Sequence, residues 1–166
     1  MRSVVLQGLA AGAAGTTALN AVTYLDMALR ARPASTTPEQ TVRSVERLTG
    51  VSLSGEGSDS AAADNRRSGI GALLGVAAGL VTGVSYGLVR ARMRHVPPLP
   101  VLAALAGLGA NASSVIPMTA LKVTDPRTWP LRSWLEDLVP HLAYGVVTAA
   151  VFEGLRRRPG RWRFAA

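Results

Sequence analysis

Residues 69–89 read GIGALLGVAAGLVTGVSYGLV, and this stretch decides the fold class because none of its side chains is charged. A helix rises about 1.5 Å per residue, so about 20 apolar residues cross a hydrocarbon core about 30 Å thick. A helix on the surface of a soluble protein would instead carry charged residues at 3.6-residue spacing. The stretch therefore predicts a membrane-spanning helix.

Three further apolar stretches of spanning length occur at about residues 4–25, 99–121 and 138–155. The first also fits a secretory signal peptide, because Arg2 precedes an apolar run. That run contains Gln7 and continues to Leu25 without a clear cleavage site, so we favour a retained helix over a cleaved signal. The pattern predicts an all-α fold, an integral membrane four-helix bundle that forms one transmembrane domain over residues 1–166.

The composition supports a membrane protein. Only 17% of the 166 residues are charged, against about 25% in soluble domains, whereas 48% are hydrophobic. A nucleic-acid-binding domain would spread its net charge of +8 over a solvated face, so nucleic acid is not an expected partner. The chain has no cysteine and only two histidines, so the sequence predicts neither a metal site nor a cofactor.

The longest hydrophilic loop covers residues 26–68. Within it, the segment 37–40 (TPEQ) is typical of a helix start, and Gly50 is typical of a helix end. Three apolar residues between them share one helical face: Val42, Val45 and Leu48. We expect a short amphipathic helix, lying on the membrane or against the bundle, and then a flexible linker from Ser52 to Ser68.

A second amphipathic pattern precedes the fourth stretch. Four residues recur there at helical spacing: Leu131, Trp134, Leu135 and Leu138. An apolar face that carries Trp beside a span is typical of an interfacial helix, because Trp prefers the headgroup level of a bilayer. We therefore expect a separate short interfacial helix ahead of the fourth span.

The distribution of arginine indicates the orientation. Nine basic residues fall on each side of the predicted membrane, so their number does not indicate the orientation. We use instead how densely the basic residues are placed in each segment. The loop Arg90–Pro98 and the tail 156–166 hold arginines without acids, whereas the two longer loops mix arginines with acids. Because basic residues mark cytoplasmic segments, we expect a bacterial cytoplasmic (inner) membrane protein with both termini in the cytoplasm.

Glycine occupies every fourth position of the second stretch. These positions are Gly71, Gly75, Gly79, Gly83 and Gly87, and the first stretch adds Gly8 and Gly12 at the same spacing. Lipid gives helices no hydrophobic reason to associate, so close backbone contact at small residues takes that role. The row predicts a glycine zipper with one nearly continuous groove. This zipper packs either against the first stretch, which we favour, or against a second copy of the chain in a homo-oligomer.

Four polar residues share one helical face of the fourth stretch: Asp137, His141, Tyr144 and Thr148. An Asp one turn before a His can orient the imidazole, as a proton relay or a general base requires. Structural capping and headgroup contact near Pro140 are the favoured alternative. Asn20 and Asn111 either form hydrogen bonds between helices, which we favour, or line a polar cavity with this face. The sequence predicts no catalytic residue.

The tail, residues 156–166, mixes cations with aromatic residues beside a span. Its candidate contacts to lipid headgroups are Arg156, Arg157, Arg158, Arg161 and Trp162. Membrane lipids are therefore the expected partner, and a homo-oligomer or another membrane protein stays open. Glu153 is expected to reach from the end of the fourth stretch toward Arg156 and Arg157.

Three runs carry a resemblance to known proteins: 8–20 (GLAAGAAGTTALN), 32–39 (RPASTTPE) and 140–145 (PHLAYG). They resemble small multi-pass membrane proteins of actinobacteria that have no assigned function. The pattern of spans is also similar to that of YagU-like inner-membrane proteins. The resemblance implies a membrane location and a helical fold, and it implies no functional residues.

Three function classes follow from these patterns. The favoured one is a non-enzymatic structural or accessory membrane protein whose glycine-rich helices pack tightly. The first alternative is a small transporter or proton-conducting protein that uses the polar face. The second alternative is a membrane-embedded enzyme acting on lipid, which requires Asp137 and His141 to be accessible.

Overall fold

The computed structural model describes residues 2–54 and 59–157, and these residues form helices without a strand. The five α-helices are α1 (Arg2–Arg30), α2 (Thr37–Thr49), α3 (Ser60–Arg92), α4 (Leu99–Ala120) and α5 (Leu131–Arg156). A single 3-10 turn, Pro126–Thr128, connects α4 to α5. The expected all-α class is confirmed for this part of the chain.

Three of these helices, α3, α4 and α5, are long and apolar enough to cross a membrane. α1 is also long enough, with 29 residues, but it contains no stretch of spanning length as apolar as those in the other three. Its polar residues Gln7, Thr16 and Asn20 lie among its alanines and glycines and lower its apolarity. Length and composition therefore support three of the four predicted spans.

Many large apolar side chains lie on the outside of the protein, although Leu102 and Phe152 are buried. Leu73, Leu105 and Ile116 are 69%, 48% and 66% exposed. Six alanines, in contrast, are buried: Ala11, Ala63, Ala103, Ala106, Ala110 and Ala149. A soluble domain buries its Leu and Ile, whereas lipid solvates them, so this distribution fits helices that face hydrocarbon.

The long helices pack as neighbours around small residues. α1 packs along both α3 and α5, α4 packs along α5, and α3 meets α4 over a shorter length. At one end of the molecule lie the start of α1, the end of α3, the start of α4 and the end of α5. We call this the basic end, because Arg90, Arg92 and Arg156 lie there. The opposite end, which holds α2 and the α4–α5 connection, is the loop end.

Glycine brings α1 and α3 into backbone contact. A Cβ added to Gly83 would lie 2.5 Å from the Cα of Gly12, and one added to Gly8 would lie 2.8 Å from the Gly83 carbonyl oxygen. Such distances leave no room for any side chain. The contact between the two helices therefore depends on the absence of side-chain atoms at these positions.

The glycine row of α3 does not meet a single neighbour along its length. Gly71 faces Pro38 of α2, Gly79 faces Thr16, and Gly87 faces Phe152, while an added Cβ at Gly75 would meet nothing within 4 Å. Residues four apart are separated by about 400° of helix rotation, so each step turns the row by about 40°. Five glycines at this spacing wind around α3 and meet different neighbours.

The linker expected over Ser52–Ser68 is shorter than the sequence suggests, because α3 already begins at Ser60. Asp59 caps that helix, and its side chain accepts a hydrogen bond from the backbone N–H of Ala61. α2 packs against the first turns of α3, one of the two placements expected for it. Arg67 of α3 ties the two helices together through its ion pair with Glu46 at 2.7 Å. Long-range ion pairs thus order a segment whose local composition is typical of a loop.

The residues expected to form a separate interfacial helix ahead of the fourth span are helical, but they belong to the same helix as that span. Leu131 begins α5, and the helix continues without interruption to Arg156. Pro140 lies inside it, although proline removes one backbone hydrogen bond. Membrane helices tolerate proline better than soluble helices do, so the amphipathic stretch from Leu131 and the apolar stretch after it form one helix.

Candidate functional site

The first half of the polar face of α5 points toward α4. Asn111 of α4 donates a side-chain hydrogen bond to the Asp137 carboxylate. His141 Nδ1 lies 2.6 Å from the backbone carbonyl oxygen of Asp137 and 3.6 Å from its carboxylate Oδ1. His141 Nε2 lies 3.4 Å from the Ser114 hydroxyl oxygen of α4. Four polar side chains therefore form one cluster, which we call the α4–α5 polar cluster: Asn111, Ser114, Asp137 and His141.

The second half of that face is bonded to α3 and α1. The Tyr144 hydroxyl donates to the Gly79 carbonyl oxygen at 2.6 Å. The Thr148 hydroxyl donates to the Ala11 carbonyl oxygen at 3.3 Å. Both side chains are almost fully buried, at 1% and 0% exposed. These two residues act as hydrogen-bonded links between helices and leave no open polar surface.

Asn20 does not join the other candidates. It is half-buried in α1, and within residues 2–54 and 59–157 no side-chain hydrogen bond connects it to the α4–α5 polar cluster. Of the six residues predicted for the polar face, the structure places Asp137, His141 and Asn111 in mutual contact. Ser114 completes that group, although the sequence pattern gave it no role.

The expected position of Glu153 is wrong. Its carboxylate pairs with Arg90 of α3, with Oε1 2.6 Å from Arg90 Nε and Oε2 2.9 Å from Nη2. Arg90 and Glu153 both lie near the ends of helices that run in the same direction, so they meet at the same level. Arg156 instead lies over the Phe152 ring, 5.8 Å from its centroid.

Tyr86 lies beside this ion pair and was also missed in the sequence. Its ring packs edge-on against Phe152 with centroids 5.4 Å apart. Its buried hydroxyl has no hydrogen-bond partner among the residues that the structure describes. The only sequence signal for this region was the spacing of Tyr86 and Arg90 by one helical turn, which places them on the same side of α3.

The candidate headgroup contacts lie at the basic end. Arg156 and Arg157 are exposed there at the end of α5. Arg158, Arg161 and Trp162, which complete the predicted set, lie outside the described residues.

Ion pairs at the loop end join α1 to the start of α5. Arg30 binds Asp26 one turn earlier at 2.6 Å and reaches Glu136 of α5 at 2.8 Å. A groove of about 420 Å³ lies next to these pairs, with Val22 and Leu135 among its apolar walls. The charged rim above an apolar floor is typical of the level at which hydrocarbon meets headgroups.

The ion pair between α2 and α3 shifts the titration of its acid. The Arg67 guanidinium, which donates to the Glu46 carboxylate, holds the pKa of that carboxyl below its ordinary value. The backbone N–H of Leu53 donates to the same carboxylate at 2.8 Å and acts in the same direction. Glu46 is therefore charged in the folded protein and binds three segments together.

Within residues 2–54 and 59–157, no group of three His, Cys, Asp or Glu side chains is arranged to hold a metal ion. No family model matches the chain, and neither a curated protein nor a solved structure is similar enough to count as a match. The resemblance to actinobacterial and YagU-like membrane proteins therefore stays a prediction.

Proposed function

We propose that the chain is an integral membrane protein, a four-helix bundle in which α1 joins α3, α4 and α5 as the fourth spanning helix. The observation that carries the proposal is that many Leu, Val and Ile side chains are exposed, while the buried residues are chiefly alanine and glycine, with Leu102, Tyr144 and Phe152 among the few large ones. Helices that associate in lipid are typically built this way, because small residues let their backbones approach.

α1 fits the role of a spanning helix despite its polar residues. It packs along both α3 and α5, which are themselves long and apolar enough to span. Its Thr16 hydroxyl donates to the Gly12 carbonyl oxygen within the same helix at 2.8 Å, so this polar group is satisfied without water. A polar side chain bonded in this way can be accommodated inside a membrane.

The proposed location is a bacterial cytoplasmic membrane, with both termini in the cytoplasm. Arg90 and Arg92 end α3 at the same end of the molecule as Arg156 of α5, and this supports the orientation by the positive-inside rule. Membrane lipids are the proposed partner, since apolar side chains face outward along α3 and α4. The glycines of α1 and α3 serve as an intramolecular zipper in this proposal.

The proposed role is structural or accessory, based on how the buried polar groups are used. Tyr144 and Thr148 both bond to backbone carbonyl oxygens of neighbouring helices. Arg90 and Glu153 neutralise each other across α3 and α5. These contacts hold helices together, and each occupies the polar atoms that a conduction pathway would need free.

Alkaline carbonate extraction of membranes tests the proposal. An integral protein stays in the pellet with the lipid, whereas a peripheral one is released into the supernatant. We expect the full chain to stay in the pellet and to be solubilised only by detergent. Release by carbonate would contradict the proposal. Cross-linking in native membranes then shows whether a second copy or another protein lies next to it.

Proton conduction is the second candidate, and one observation favours it. Asp137 and His141 are titratable, lie 3.6 Å apart, and retain 22% and 12% side-chain exposure in a helix proposed to span the membrane. Proton flux into proteoliposomes that falls with His141→Ala would support this function. No flux under a pH gradient or a membrane potential would exclude it.

A further inference from the structure

The α4–α5 polar cluster has a defined arrangement of hydrogens. The backbone carbonyl of Asp137 can only accept a hydrogen bond, so the 2.6 Å contact requires His141 Nδ1 to carry the hydrogen. In the neutral imidazole, Nε2 is then an acceptor. That nitrogen faces the Ser114 hydroxyl oxygen at 3.4 Å. The histidine is thus in the tautomer that a general base needs, with a hydroxyl in front of its lone pair.

The other side of the imidazole faces a carboxylate that is itself held in place. Asp137 Oδ1 lies 3.6 Å from His141 Nδ1 and would stabilise an imidazolium by its negative charge. Asn111 donates to the other carboxylate oxygen, Oδ2, and so fixes its orientation. Ser114, His141 and Asp137 therefore follow one another as hydroxyl, imidazole and carboxylate, and Asn111 positions the last of them.

This cluster differs from the other polar contacts of α5. Tyr144 and Thr148 are closed against backbone carbonyls and almost fully buried. Ser114 and Asp137 are only partly buried. The Ser114 hydroxyl has a single hydrogen, which it donates to the Asn111 carbonyl oxygen 2.9 Å away, so it must rotate about the Cβ–Oγ bond to donate to His141 Nε2, 3.4 Å away.

We propose that Ser114, His141 and Asp137 form a Ser–His–Asp relay that opens an acyl ester of a membrane lipid. Ser114 and His141 would be the catalytic residues, and Asp137 and Asn111 the positioning residues. The same order of groups recurs on unrelated folds and is recognised by geometry and not by chain order. In this chain Ser114 Oγ lies 3.4 Å from Nε2, and the Asp137 carboxylate, 3.6 Å from Nδ1, acts through its charge, because the Nδ1–H is donated to the Asp137 backbone carbonyl.

The reaction balances with water as the only co-reactant. Ser114 Oγ attacks the ester carbonyl carbon while its proton moves to His141 Nε2, and the alcohol leaves with that proton as the C–O bond breaks. The acyl-serine is then hydrolysed by water, which gives its proton to Nε2 and its oxygen to the carboxylic acid, and Ser114 recovers its proton. The products are a fatty acid and the deacylated lipid.

Depth selects a lipid ester as the substrate class, and this step rests on the proposed membrane location. Ser114 lies six residues before Ala120, the last residue of α4, or about 9 Å by helix rise. Asp137 lies six residues after Leu131, the first of α5. The cluster is thus slightly inside the loop end, near the level where headgroups meet hydrocarbon. The acyl esters of lipids lie at this level and are accessible as they stand. The peptide bonds of a spanning helix are protected by its hydrogen bonds, so a peptide substrate would first have to unwind.

Labelling with a fluorophosphonate, which phosphonylates an activated serine, tests the relay in detergent and so does not depend on membrane insertion. We expect the full chain to be labelled at Ser114, Ser114→Ala to lose the label, and the matched variant Ser113→Ala to keep it. His141→Ala should slow labelling at least about 100-fold, the usual contribution of a general base. An unlabelled wild-type chain, or equal labelling of Ser114→Ala, would overturn the proposal.

Asp137→Asn separates positioning from folding. This variant keeps the side-chain shape and an acceptor for Asn111 but removes the charge. We expect slower labelling with an unchanged melting temperature. Labelling at the wild-type rate would remove Asp137 from the relay.

Vesicles of phosphatidylcholine and phosphatidylglycerol with a fluorescent acyl chain test the substrate class. We expect the reconstituted chain to release fatty acid, and Ser114→Ala to release none. Cleavage of a membrane-inserted peptide without fatty acid release would overturn the assignment to lipid. Carbonate extraction remains an independent test of membrane insertion, so the two proposals can fail separately.

Discussion

The contact between α1 and α3 and the contacts of α5 with these two helices hold the bundle together by opposite means. α1 and α3 meet backbone to backbone, because Gly12 and Gly83 have no side chains to separate them. α5 instead reaches α1 and α3 through polar side-chain atoms, including the hydroxyls of Tyr144 and Thr148 and the carboxylate of Glu153. The first contact depends on the absence of side-chain atoms at glycine, whereas the second depends on polar side-chain atoms that form hydrogen bonds or ion pairs.

This difference shows how helices can associate where lipid removes the gain from burying apolar area. Close backbone approach gives van der Waals contact along a surface, and a buried polar atom gives one directed bond. The two contacts should therefore fail under opposite substitutions. Added atoms should break the α1–α3 contact, and removed atoms should break the contacts of α5 with α1 and α3.

Removal of the Glu153 carboxylate should have the largest effect. Glu153→Ala leaves the buried Arg90 without its counter-ion, and loss of one partner of a buried pair costs about 3–5 kcal/mol. The unfolding free energy in detergent measures this loss. The matched control is Glu136→Ala, which removes more exposed ion pairs and should cost at most about 1 kcal/mol.

A double variant checks the cause of that loss. Arg90→Leu combined with Glu153→Leu removes both charges, so it should recover most of the stability lost in Glu153→Ala. Equal destabilisation by Glu153→Ala and Glu136→Ala would show that the Arg90–Glu153 pair contributes little to the fold.

Addition of one methyl group at Gly83 should come next. Its Cβ would lie 2.5 Å from the Cα of Gly12 and the carbonyl oxygen of Gly8, so Gly83→Ala forces α1 and α3 apart at a cost of about 1–3 kcal/mol. Gly75→Ala is the matched control on the same helix, because its Cβ would meet nothing within 4 Å. Thermal unfolding in detergent should distinguish the two variants, and identical melting temperatures would refute the α1–α3 contact.

Removal of a single hydroxyl should have a smaller effect. Tyr144→Phe loses the hydrogen bond to the Gly79 carbonyl oxygen, and such bonds in membranes contribute about 0.6–1.7 kcal/mol. Tyr24→Phe, at an exposed position of α1, is the control and should leave the unfolding free energy unchanged. A stability loss that is the same in both variants would contradict the link between α5 and α3.

The smallest expected effect concerns pH at the junction of α2 and α3. The pKa of Glu46 in the folded protein lies below the ordinary value of 4.5, so its contribution is present above pH 4.5 and is lost as the pH falls further. Hydrogen exchange of α2 should therefore accelerate on acidification below that value. Glu46→Gln should exchange faster at neutral pH and lose most of this dependence. A wild-type pH profile in that variant would contradict the role of Glu46.

The sequence predicted the long helices well, because uncharged runs of spanning length have few other stable structures. It did not predict that Ser60–Ser68 belongs to α3, since this depends on the ion pair of Arg67 with Glu46, 21 residues away. The separate interfacial helix ahead of the fourth span failed for a different reason, because α5 continues from Leu131 through Pro140 without a break.

For the candidate site, helical spacing placed Asp137, His141, Tyr144 and Thr148 on one face. Spacing could not reveal which neighbouring helix each residue would meet. Ser114 and Arg90 were missed for this reason, because their partners lie on other helices and only packing brings them together.

The central claim is that α1 crosses the membrane with α3, α4 and α5, and sided labelling tests it most directly. The chain has no cysteine, so the single variants Ser3→Cys and Ser35→Cys report on the two ends of α1 without background. In sealed vesicles of known orientation, we expect a membrane-impermeant thiol reagent to reach these two positions from opposite sides. Labelling of both cysteines from the same side would contradict the claim.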